Sequence, residues 1–125
     1  MREGPLSRPE SLLRLLLVRA GLPEPLLNVR CVTTDGVDLG MPDLAWPEYR
    51  TVGQYEGEHH RSVQQQRSDI RRDEKYFDHD WKVVKVSADD LSRQPVELAD
   101  RFARRLASQG WQGAIDLRHV GHFDR

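Results

Sequence analysis

The hydrophobic period of this chain switches from helical to two and back again. From Leu27, apolar Leu27, Val29 and Cys31 alternate with polar Asn28 and Arg30, which is the period of a half-buried strand. β-Branched Val32, Thr33 and Thr34 extend it. Asp35-Gly36 is a strong hairpin signal, and Val37 to Trp46 reads as the return strand, broken near Gly40. Pro47-Glu48-Tyr49-Arg50 reads as a second turn, and Thr51 to Glu56 as a third strand ended by Gly57. Three meandering strands make a sheet with a face to bury, so the flanking segments must cover it.

Those segments read as helices. Ser7-Arg8-Pro9-Glu10 has the form of a capping box, the helix runs to about Ala20, and Gly21 and Pro23 stop it. Leucines at 12, 13, 15, 16 and 17 cover more than one face, so this helix is expected to pack on two sides. Arg61 to Asp78 is a second helix, with Val63, Ile70 and Phe77 as a thin apolar seam and Arg67, Arg71 and Lys75 on one face. Trp81 to Val86 is a fourth strand. Asp89-Asp90 opens a short helical turn, and Pro95 starts a last helix to about Ser108, with Ala99, Phe102, Ala103 and Leu106 as its buried stripe and Gly110 as its stop. Trp111 to Arg125 has no clear period and is expected to be loosely ordered. The expected architecture is α/β: a mixed sheet in the order α-βββ-α-β-α, flanked by helices, with one domain over residues 1–109 and a C-terminal tail over 110–125.

Composition narrows the function classes. A chain of 125 residues with a single cysteine, Cys31, cannot form an internal disulfide, which fits a reducing cytoplasm. Its 19 basic against 20 acidic residues give a net charge of −1, so nucleic-acid binding would need a local patch. The apolar run Leu12 to Val18 is shorter than the roughly 20 residues of a membrane span, so no membrane role is expected.

Polar residues gather around the second and third strands: Asp43, Gln54, Glu56, Glu58, His59 and His60. A two-residue turn centred on Glu48-Tyr49 sets Asp43 opposite Gln54, with Glu56 on the same face and diagonal to Asp43, about 7–8 Å away at Cα. A turn one residue longer would put Asp43 on the other face. Two carboxylates and an amide oxygen are hard ligands that suit Mg²⁺ or Mn²⁺ better than Zn²⁺. A hard cation neutralises phosphate and lowers the pKa of bound water, which is what phosphodiester hydrolysis needs. His59 has the chemistry to accept a proton or contact phosphate. Arg67, Arg71 and Lys75 have the spacing to hold a nucleic-acid backbone.

Pro42-Asp43-Leu44-Ala45-Trp46-Pro47-Glu48, then Gln54-Tyr55-Glu56-Gly57-Glu58-His59-His60, then Arg71-Arg72-Asp73 and Trp81 to Val86 resemble the DUF559 group. That group belongs to the PD-(D/E)XK nuclease superfamily, near the very-short-patch repair endonucleases. Pro9-Glu10-Ser11 with Leu12 to Pro23 resembles the first helix of the same group, and the likeness covers about Arg8 to Leu106. The resemblance implies a restriction-endonuclease-like fold and a divalent-metal site. It implies that Asp43 and Glu56 ligate metal, that His59 matches the histidine after the acid-glycine pair, and that Glu10 matches the first-helix acid that approaches the metal. The chain departs from the pattern at Gln54, where the group usually has glutamate. An amide carbonyl still ligates, but one negative charge is missing. Many relatives also carry an N-terminal winged-helix, antitoxin-like domain, so the expectation here is a stand-alone copy or a fragment.

The leading expectation is a divalent-metal-dependent endonuclease acting on DNA with weakened activity, its metal held by Asp43, Glu56 and Gln54. The alternative is a catalytically impaired nucleic-acid-binding or regulatory module on the same fold. A protein-interaction domain is a third reading that the net charge permits.

Overall fold

A computed structural model describes residues 8–56 and 62–118. Helix α1 spans Arg8–Arg19. It ends in a Schellman turn: the Gly21 N–H donates to the Val18 carbonyl (3.0 Å) and the Leu22 N–H to the Leu17 carbonyl (3.1 Å), with Gly21 at φ +93°. Leu13, Leu16, Leu17 and Ala20 are fully buried and Leu12 is partly buried beside them, while Leu15 is only half-buried, so the helix packs through one stripe and not on the two sides expected. Ser7, the expected cap, lies outside the described residues.

The expected first strand is two. β1 (Leu26–Leu27) and β2 (Cys31–Val32) are separated by Asn28, which adopts φ +54°. Asparagine tolerates the left-handed region, and one such residue redirects the chain. The return strand is likewise split beyond Gly40, into β3 (Asp38–Gly40) and β4 (Leu44–Trp46). β2 and β3 form a separate antiparallel ribbon closed at Asp35-Gly36. β5 (Thr51–Tyr55) follows a 3-10 turn over Pro47–Tyr49, with Arg50 at φ +45°. Helix α2 (Val63–Asp78), capped by Ser62, crosses over to β6 (Lys82–Val86). Helices α3 (Ala88–Arg93) and α4 (Pro95–Ser108) complete the chain.

The main sheet has the order β1-β4-β5-β6. Its first three strands are antiparallel neighbours, and β6 lies parallel to β5. The protein is thus α/β with a mixed sheet flanked by helices. On one face Leu44, Trp46, Val84 and Val86 meet α1, α3 and α4. The Trp46 and Phe102 rings lie 5.4 Å apart there. On the other face Ala45 and Val52 meet Tyr76 of α2, Trp81, and Cys31 and Leu39 of the ribbon.

Two expectations are corrected. The seam of Val63, Ile70 and Phe77 does not face the core; these residues are 62%, 58% and 79% exposed. The side of α2 turned inward carries Asp69, Arg72, Asp73 and Tyr76. Gln54 and Lys85 occupy the sheet face under that part of the helix, and buried polar groups need polar partners. Beyond α4, residues 111–118 of the segment expected to be loosely ordered lie against the core, and residues 119–125 lie outside the described residues. Trp111, Ile115 and Leu117 pack on it, and the Asp116 N–H donates to the Ala20 carbonyl at 2.7 Å. Among the described residues no helix is long and apolar enough to cross a membrane.

Candidate functional site

The strand register decides whether the sequence-predicted polar residues meet. Leu44 pairs with Gly53, Ala45 with Val52 and Trp46 with Thr51. This is the register that a turn centred on Glu48-Tyr49 predicts, and continuing it by one residue sets Asp43 opposite Gln54. Side chains alternate along a strand, so Asp43 shares a face with Ala45, and Gln54 and Glu56 share a face with Val52. Ala45 and Val52 both pack on the α2 side. Carried one residue past the ends of β4 and β5, the same alternation assigns Asp43, Gln54 and Glu56 to that face, at the carboxyl end of the parallel pair β5 and β6.

Each is held by the end of the sheet. β4 begins only after Asp43, so no β4 carbonyl is placed to accept the Tyr55 N–H. The Asp43 Oδ2 accepts it instead, at 2.7 Å. Gln54 is only 7% exposed. The Glu56 N–H donates to the Val86 carbonyl at 2.8 Å, which extends the parallel ladder by one residue and fixes where Glu56 leaves the sheet. Glu10 approaches from α1: the Asn28 Nδ2 lies 3.5 Å from its Oε1, and the Asn28 N–H donates to the Asp43 carbonyl at 3.2 Å. The left-handed turn at Asn28 thus joins the first helix to the start of β4. His59, with Glu58 and His60, lies outside the described residues.

Sequence reasoning missed the partners facing this end. Lys85 is the β6 neighbour of Gln54, and its ammonium pairs with Asp73 of α2. Arg72 Nη2 pairs with Asp69 Oδ1 at 3.2 Å, and Asp69 is itself buried. Asp73 Oδ1 and Arg72 Nε are buried with no hydrogen-bond partner among the described residues. The spacing of Asp69, Arg72, Asp73 and Tyr76 was a legible signal, because those positions make one helical face.

Tyr76 is fully buried, and its hydroxyl likewise has no partner among the described residues. Burial, with a smaller push from Cys31, raises its pKa well above the ordinary value, so it stays neutral. Burial, reinforced by the Asp38 charge, also raises the pKa of Cys31, which makes it an inert core thiol.

The predicted basic face is on the outer side of α2. Arg67, Arg71 and Lys75 are exposed, and the Lys75 Nζ reaches to 3.5 Å from the Asp38 carbonyl. Of the acids on α2, Asp69 pairs with Arg72 and Asp73 with Lys85.

No family model matches the chain, and no solved structure matches it. Over 101 residues, 80% of its length, the chain is 35% identical to an uncharacterized protein of Mycobacterium tuberculosis strain CDC 1551 / Oshkosh, MT2308. The figures are the same for the uncharacterized protein Rv2248 of strain ATCC 25618 / H37Rv. The matched stretch is 37% of each relative, so the chain spans little more than a third of the length of the proteins it is similar to.

Proposed function

We propose that this protein is a divalent-metal-dependent endonuclease that hydrolyses DNA phosphodiester bonds, on a restriction-endonuclease-like fold and at reduced rate. The observation that carries the reading is the β4–β5 register, which, continued one residue past Leu44 and Gly53, sets Asp43 opposite Gln54 with Glu56 two residues on. The donor set fits a hard cation: two carboxylates match the charge of Mg²⁺ or Mn²⁺, and the Gln54 amide adds a neutral oxygen. When bound, the cation would neutralise a phosphate oxygen and acidify a water.

The residues divide the work. Asp43 offers its second oxygen, since Oδ2 is committed to Tyr55. Glu56 offers its carboxylate, Glu10 approaches from α1, and His59 accepts a proton or steadies phosphate. Arg67, Arg71 and Lys75 hold the DNA backbone.

Plasmid nicking in Mg²⁺ and Mn²⁺ tests this, beside Asp43→Asn. Asparagine keeps an acceptor for the Tyr55 N–H while removing the charge. Slow nicking that is faster in Mn²⁺ and lost in Asp43→Asn is the expected result. Nicking that survives the substitution overturns the proposal.

The second reading is a catalytically impaired nucleic-acid-binding or regulatory module. Gln54 in place of a carboxylate and the engagement of Asp43 by Tyr55 favour it. DNA binding with no cleavage in either metal would decide for it.

A further inference from the structure

β6 is the edge strand of the main sheet, and its outer side is bordered by α2 and α4. A groove of about 330 Å³ runs along it, lined by Asp73 and Phe77 of α2, Trp81, Lys82 and Lys85, and Arg105 of α4. Three cations and one acid line it, in a chain whose net charge is −1. Asp73 is already paired with Lys85, so the local excess is two positive charges, from Lys82 and Arg105. Neither makes an ion pair among the described residues, whereas the neighbouring Arg101 and Arg104 pair with Asp90 and Asp100. Phe77 is 79% exposed, an aromatic face offered to solvent at the rim of a basic groove.

We infer that this groove binds single-stranded nucleic acid, with one base stacked on Phe77 and the phosphates on Lys82 and Arg105. The inference rests on the proposed function in taking nucleic acid as the ligand, and it deepens that reading by naming the strand form. Three observations select the occupant. Cations beside an exposed aromatic ring are the pairing that unpaired nucleotides use: charge tracks the backbone, and any base can stack. The volume lies near the lower end of small-ligand sites, roughly 300–1,000 Å³, which is enough for an unpaired nucleotide. A peptide added as a further strand is disfavoured, because Arg101 Nη2 already occupies the outward Lys85 carbonyl at 2.8 Å. A second copy of the chain would bring like charges together. The groove also leads somewhere: Lys85 lines it and is the β6 neighbour of Gln54. A strand lying along β6 is thereby delivered to the acidic end of the sheet.

The test is fluorescence anisotropy of a short labelled oligothymidylate with the full chain in EDTA, so that binding is read apart from hydrolysis. Phe77, Lys82 and Arg105 are exposed, and circular dichroism confirms that their variants fold. We expect binding that favours the single strand over a duplex of the same length. Phe77→Ala should weaken it roughly ten- to a hundredfold. The pair Lys82→Glu and Arg105→Glu should weaken it and lower the slope of log K against log salt by about 1.4, roughly 0.7 for each lost phosphate contact. No binding at low salt, or binding indifferent to Phe77, overturns the inference. So does displacement by polyglutamate that itself binds through Phe77, which would assign the groove to an acidic peptide. Failure to nick plasmid leaves these readings untouched, and failure to bind here leaves the hydrolysis test intact.

Discussion

Replacing Gln54 by glutamate should cost stability by an amount that depends on the metal content of the buffer. Gln54 is 7% exposed, lies beside Lys85 in the ladder, and continues the register opposite Asp43. Lys85 is already paired with Asp73, so a new carboxylate gains no free cation. At an effective dielectric near 20, a neighbouring carboxylate about 6 Å away repels it by about 3 kcal/mol. Burial without a partner adds about 1–3 kcal/mol, and local relaxation returns part of the sum. We expect Gln54→Glu to lose about 2–4 kcal/mol in EDTA. At some 3–6 °C per kcal/mol for a domain of this size, Tm falls by roughly 6–24 °C. A divalent cation at a hundred times its Kd restores about 2.7 kcal/mol. Melting curves by circular dichroism in EDTA, Mg²⁺ and Mn²⁺ read the difference. The variant should recover most of its loss in Mn²⁺, while the native protein shifts by only a few degrees. If the metal-induced shift of the variant is no larger than that of the native protein, Asp43, Gln54 and Glu56 do not converge on one ion. The metal reading would then fail whatever the nicking assay shows.

Two further outcomes probe the frame around the site. A Cβ at Gly53 would lie 2.9 Å from the Phe102 Cζ and 3.0 Å from its Cε1, so Gly53→Ala should cost about 1–3 kcal/mol in urea unfolding, with part recovered by Phe102→Leu. No loss would mean that α4 has room to move off β5. Asp90 accepts the Ser87 N–H at 3.0 Å, accepts Arg101 at 3.2 Å, and closes a capping box. Burial pushes its pKa up, but the Ser87 and Arg101 hydrogen bonds outweigh it and hold the folded value below the ordinary carboxylate range. A depressed folded pKa gives stability that is present above the unfolded value near 3.9 and lost as pH falls through the folded one. Asp90→Asn should therefore cost about 1 kcal/mol at pH 7 and little in strong acid. An equal loss at both pH values would remove Asp90 as a source of acid sensitivity.

The elements were legible where local chemistry decides them. Gly21 with Pro23, Asp35-Gly36 and Pro95 each set a boundary through backbone geometry or a missing donor, and the turn before Thr51 fixed the β4–β5 register. The facing of α2 was not legible. Its seam of Val63, Ile70 and Phe77 is the standard sign of a buried stripe, yet the helix lies over a stretch of sheet that presents Gln54 and Lys85. That choice depends on residues distant in sequence, and the polar face of Asp69, Arg72 and Asp73 won it. Asn28 and Arg50 at positive φ carry no pattern a single sequence reveals, though Asn28 is what brings Glu10 near Asp43. The grouping of Asp43, Gln54 and Glu56 follows from strand alternation, which a sequence carries, whereas the Lys85–Asp73 pair depends on the crossover.

The bond from the Tyr55 N–H to Asp43 makes the acidic end of the sheet preorganised. A carboxylate that completes a hydrogen-bond ladder has its rotamer chosen during folding. Freezing such a side chain on ligand arrival otherwise costs about 0.5–1.5 kcal/mol. Asp43 meets whatever binds there as a fixed charge, its entropy already lost with that of the backbone it caps.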